Sequence, residues 1–145
     1  DMKFILNNSK AGKEAQNFLQ KSFKESQKKL TEKEKELKGD EKNLLEAKAS
    51  LSKEEYKKKS EALRKKVLKY QEERRSSLEK ITKKRQSARN QLLEKLDPIL
   101  KKYISENGIS LVVEKANVVM GNTADDITKV IIENLNKEVP SLNLK

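Results

Sequence analysis

The segment "KAGKE", Lys10 to Glu14, sets a glycine beside a lysine, as loops that cradle phosphate do. Such a loop also needs an upstream glycine and a Ser or Thr after the lysine, and neither is present, so the pair reads as the first turn of a helix rather than a nucleotide site. "NNS", Asn7 to Ser9, has the pattern of a glycosylation acceptor, but the same residue types are ordinary helix caps, and capping is the preferred reading. Asp125 and Asp126 could in principle ligate a cation. Without further clustered acids, their place at a helix N-terminus explains them better. The chain has no histidine and no cysteine, so the commonest general base, the commonest metal ligand and every thiol chemistry are missing. The sequence predicts neither an enzyme nor a bound cofactor or metal.

What remains is charge. Of 145 residues, 39% are charged and 34% hydrophobic, with a net charge of +11. This composition cannot fill a large globular core and favours anionic partners. Residues 9–105 hold 29 Lys and Arg against 16 acids, whereas residues 106–145 hold 4 against 6. Residues 52–105 alone carry 18 basic and 8 acidic residues. Many of these can pair along a helix, as Glu34 with Lys38, Glu61 with Lys65 and Glu79 with Lys83, but the surplus cannot. No apolar run approaches the roughly 20 residues of a spanning helix.

The elements that carry these charges are long. Phe23, Leu30, Leu37, Leu44 and Leu51 recur every seven residues, a helical repeat with one apolar position per heptad. Ser52 with Glu55 forms a capping box that begins a second helix, whose apolar residues run from Tyr56, Leu63, Val67 and Tyr70 to Leu92, Leu96, Ile99 and Tyr103. Pro98 predicts a kink or a restart. A turn near 50–52 makes the pair an αα-hairpin about 60 to 75 Å long, looser at its tip than at its root. After Gly108, Leu111–Glu114 and Val118–Met120 read as two short strands, and Thr123 with Asp126 as a cap for a last helix bearing Ile127, Val130, Ile131 and Leu135. Two short strands are marginal alone and need partners.

The strings "SKAGKEAQ", "KYQEERR", "ISENGISLVVEKANVVMG" and "DDITKVIIENLNK" together resemble the Skp family, also called OmpH-like, of periplasmic chaperones for outer-membrane proteins. The similarity spans essentially the whole chain, most specifically Ile104 to Lys137. It implies a mainly α fold with a small β base: a long coiled-coil-like hairpin arm over 9–105 projecting from a β-rich trimerisation region at 106–145. Residues 1–8 would be the truncated end of an N-terminal strand entering the base, and the chain the mature form or a fragment. It implies a periplasmic homotrimer that holds unfolded outer-membrane proteins between its arms without nucleotide. Leu111, Val112, Val113, Val118, Val119 and Met120 would form the assembly surface. On this reading Leu30, Leu37, Leu44, Tyr56, Leu63 and Tyr70 are expected to touch clients. Lys58, Lys65, Lys66, Arg74, Arg75, Lys84 and Arg85 are expected to attract acidic clients or anionic lipid and lipopolysaccharide surfaces. The residues alone leave two other classes open: a histone-like nucleic-acid binder and a structural coiled-coil spacer.

Overall fold

The computed structural model describes residues 1–142 and 144, and its order of helices is α1 (Met2–Asn8), α2 (Lys10–Glu46), α3 (Lys53–Glu106) and α4 (Thr128–Glu138). The chain divides into two compact units, one of residues 1–20 and 83–145, the other of residues 21–82.

In the first unit the opening segment is a helix, not the end of a strand. Asp1 caps it by accepting from the Phe4 N–H at 2.8 Å, and Met2, Ile5 and Leu6 fall at helical spacing on one side. That spacing would put apolar residues on both faces of a strand, whereas a helix turns Ile5 into the core beside α4. Ser9 then separates α1 from α2 and caps the latter, its buried hydroxyl accepting from the Gly12 N–H at 3.1 Å. The Lys10 N–H donates to Asn136 Oδ1 of α4. Around this junction Ala11 and Ala15 of α2, Ala88, Leu92, Leu96 and Ile99 of α3, Ile131 and Leu135 of α4, and Leu142 form one buried cluster. Truncating a residue as enclosed as Leu96 costs about 2–5 kcal/mol.

α3 does not restart at Pro98. The proline is exposed, so the ladder bond it lacks is lost on the solvent side, while Leu96 and Ile99 keep the inner face buried. The two expected strands are not formed: there is no strand among the described residues. Leu111–Glu114 is irregular, Lys115–Asn117 is a 3-10 turn, and Glu114, Val118 and Asn122 keep extended backbone. A ladder needs a neighbour. With residues 2–8 helical, the single chain offers none, so the two short apolar runs yield irregular chain without a sheet. The last helix also starts later than expected. Asn122 caps a 3-10 turn at Thr123–Asp125, and Asp126 Oδ1 accepts from the Thr128 N–H at 3.0 Å, so the capping carboxylate is Asp126 rather than the Thr123 hydroxyl.

The second unit contains the C-terminal part of α2, the N-terminal part of α3 and the turn between them. The turn is a 3-10 segment, Ala47–Ala49, followed by the expected capping box: the Ser52 N–H and hydroxyl donate to Glu55 Oε2 at 3.0 and 2.7 Å, and the Glu55 N–H returns to Ser52 Oγ at 3.2 Å. Partners across the two helices run in opposite directions: Ser26 with Ser77, Lys33 with Glu73, Tyr70 with Glu34, Lys66 with Asp40. No apolar residue of this unit is fully buried, in keeping with one seam residue per heptad.

Candidate functional site

Apart from Lys84 and Arg85, which belong to the first unit, the residues expected to matter lie on two surfaces, one in each unit. In the first unit, Val119, Met120 and Leu111 are 96%, 91% and 76% exposed, and Val112, Val113 and Val118 are about half exposed. Leu111, Val112 and Val113 make no backbone hydrogen bond to any described residue. A segment with six exposed apolar side chains within ten positions, and with free amides and carbonyls at its first three residues, is a pairing surface without its partner.

The segment is nevertheless pinned. The Glu114 carboxylate accepts from the Met2 N–H at 2.9 and 3.1 Å, and Lys115 Nζ donates to Asp126 Oδ2 at 2.6 Å. The Lys115 ammonium and the Thr128 hydroxyl and N–H hold the Asp126 carboxyl well below the usual carboxylate range. Asp126 thus ties the extended segment to the start of α4, an explanation that needs no cation. Among the described residues there is no cluster of three or more His, Cys, Asp or Glu able to hold a metal, and no buried side-chain polar atom without a hydrogen-bond partner.

In the second unit, all six residues expected to touch clients are half-buried in the seam between α2 and α3. Leu37, Leu44, Tyr56, Leu63 and Tyr70 line one open groove of about 620 Å³ together with Leu45, Arg64 and Arg74. Leu30 sits apart, in a smaller depression beside Ser26, Lys33, Glu73 and Ser77. The heptad therefore locates the contact between the two helices first. The more accessible apolar residues of this unit are Phe23, which opens the heptad, and Leu45, Leu68 and Leu78, which the heptad does not select and which are all more than half exposed. A signal for them is present. Each of the three leucines directly follows a seam residue (Leu44, Val67 and Ser77) and so points roughly 100° away from the seam.

The basic residues are brought together only in part. Lys58, Lys65 and Arg85 are exposed and form no ion pair among the described residues. Lys66 bridges to Asp40 at 2.7 Å, which raises its pKa, and Arg75 pairs with Glu79 at 3.4 Å, displacing the expected Glu79–Lys83 pair. Arg74 lines the groove near Glu34. Lys84 belongs to the first unit, half-buried with its ammonium 4.9 Å from the centre of the Phe18 ring. The Glu34–Lys38 pair forms at 2.8 Å, whereas Glu61 and Lys65 do not meet. No helix is long and apolar enough to cross a membrane among the described residues.

The model of a protein family described as outer membrane protein (OmpH-like) matches residues 1–135. A crystal structure from Caulobacter crescentus CB15, provisionally described as an OmpH-like outer membrane chaperone, superposes with a TM-score of 0.92 at 18% identity. The match covers 96% of this chain and 82% of that one. It establishes likeness of fold. The comparison with curated proteins gives no match.

Proposed function

The chain belongs to the OmpH-like family, and from that premise we propose that it is an ATP-independent holdase chaperone of the periplasm. It binds unfolded outer-membrane β-barrel proteins and keeps them from aggregating. The observation that carries the reading furthest is the exposed segment Leu111–Met120, whose apolar side chains, with the unpaired backbone of Leu111–Val113, call for copies of the same chain. Three copies would pair these segments into the small β base that one chain lacks, and their hairpins would bound a cavity for the client. The description of the Caulobacter structure supports the chaperone assignment by analogy of fold.

Weak contacts, many at once, suit such a role better than a single deep pocket. The hairpin offers exposed leucines, half-buried seam residues and a cationic surface that attracts acidic chains, with anionic lipid or lipopolysaccharide surfaces as further partners. The test is dilution of a denatured outer-membrane β-barrel protein into buffer with the chaperone, without nucleotide, followed by light scattering. Suppressed scattering and a complex of one client with three chains are expected. Unchanged scattering, with firm retention of duplex DNA at physiological salt, would establish the nucleic-acid reading instead.

A further inference from the structure

We propose that Asn107 is a site of spontaneous covalent modification, converting through a succinimide to aspartate and isoaspartate. Of all the asparagines in the chain, Asn107 alone is followed by glycine. The pair lies at the exit of α3, and both residues are exposed. Gly108 has φ +62°, and no atom beyond its two chain neighbours lies within 4 Å of where its Cβ would be, so the residue carries no side chain and no other part of the chain packs on that side of it.

The backbone around the pair singles out the same nitrogen. The Asn107 N–H donates to the Tyr103 carbonyl at 3.2 Å and the Ile109 N–H to the Ile104 carbonyl at 3.1 Å. The Gly108 N–H between them makes no backbone hydrogen bond to a described residue. The Asn107 amide is held at the helix end, its Nδ2 donating to the Tyr103 carbonyl at 2.8 Å, and the reaction requires this contact to open. It is an exposed contact in a terminal turn, where opening costs least.

In the reaction the Gly108 nitrogen attacks Asn107 Cγ. The N–Cγ bond forms, the Cγ–Nδ2 bond breaks, and the nitrogen's proton leaves with the amide as ammonia. Water then adds to one of the two ring carbonyls. Opening at one gives an ordinary aspartyl residue; opening at the other routes the main chain through Cγ and gives isoaspartate. No oxidant, reductant or enzyme is required. Either product places a carboxylate at the negative end of α3 and removes the donor to the Tyr103 carbonyl. The isoaspartyl form also lengthens the main chain between α3 and the segment that begins at Leu111.

The test is incubation of the full chain at mildly alkaline pH and physiological temperature beside a peptide of residues 104–110. Peptide mapping by mass spectrometry follows every asparagine, and isoaspartyl methyltransferase labelling identifies the isomerised product. Asn107 is expected to be the first asparagine to convert, with the methyl label on its fragment. Asn107→Gln, with helicity checked by circular dichroism, is expected to abolish that label. The proposal is overturned if another asparagine converts first, if Asn107 is intact once the peptide has converted, or if the label persists in Asn107→Gln.

Discussion

Gly12 lies against the carbonyl of Leu6 so closely that a β-carbon on it would sit 1.8 Å from the oxygen and 2.9 Å from the carbonyl carbon. The contact brings α2 into the corner left by α1, where the Ser9 hydroxyl accepts from the Gly12 N–H. What the sequence offers as a Gly-Lys pair is thus a close approach of two backbones. Gly12→Ala is expected to lower stability by about 3 kcal/mol, since a backbone atom cannot yield as a side chain does. Gly39, two turns before the end of α2 and with nothing within 4 Å of an added β-carbon, is the control: Gly39→Ala is expected to raise stability by about 0.5–1 kcal/mol. Urea unfolding of the two variants measures both, and equal effects of one sign would contradict the assignment.

The helices are legible in the sequence because their signals are local. The Ser52–Glu55 box, the seven-residue spacing from Leu30 to Leu51 and the buried run Leu92, Leu96 and Ile99 each act within one or two turns. The strands are not, because a strand is a relation between segments. Val112 and Val119 have the residue types of a strand, yet nothing in one chain pairs with them, and Met2–Asn8, expected to help, satisfies its own amides as a helix. The candidate site is legible in the same limited way. The heptad finds the residues where α2 and α3 meet, and the exposed Leu45, Leu68 and Leu78 stand one position beyond it.

Assembly through the extended segment predicts that Val119→Asp gives monomers. Val119 is 96% exposed in the single chain, so a charge there costs the monomer almost nothing, whereas it would be desolvated in a base built from several copies. Analytical ultracentrifugation is expected to show loss of the trimer with far-ultraviolet circular dichroism nearly unchanged. Monomeric behaviour of the unaltered chain at micromolar concentration, or trimers of the variant, would exclude this surface as the interface.

The polar contacts within residues 21–82, most of them between α2 and α3, carry a pH signature. The hydrogen bond from Lys33 lowers the pKa of Glu73, and those from Lys38 and Tyr70 lower that of Glu34. A depressed carboxylate contributes stability above its unfolded pKa, about 4.3 for Glu, and loses it as pH falls through the folded value. Lys66, raised by Asp40, contributes below about 10.4 and loses its share as pH rises through its higher folded value. Helicity is therefore expected to be flat between these limits and to fall on both sides, with high salt shrinking both effects because each pair is open to solvent. Glu73→Gln is expected to weaken the acid limb alone. A basic limb that changes in that variant would show that the pairs are not independent.

Capture and retention of a client should depend on different residues. Charges act over a screening length of about 8 Å at physiological ionic strength and speed encounter, whereas apolar contacts act only when made and slow release. Lys58, Lys65 and Arg85 form no ion pair among the described residues, so changing all three to Gln removes attraction without breaking a bridge inside the hairpin. Association with an acidic unfolded β-barrel protein is then expected to slow as it does on adding salt, with release unchanged. Leu45, Leu68 and Leu78 stand outside the seam, so changing them to Ser is expected to speed release while preserving helicity. The same change at Leu37, Leu44 and Leu63 should also loosen the hairpin, because those side chains hold α2 against α3. Stopped-flow fluorescence with a labelled client resolves both rates. If the exposed leucines can be removed without speeding release, while the seam leucines cannot, clients are held in the groove between the helices and not on their outer face.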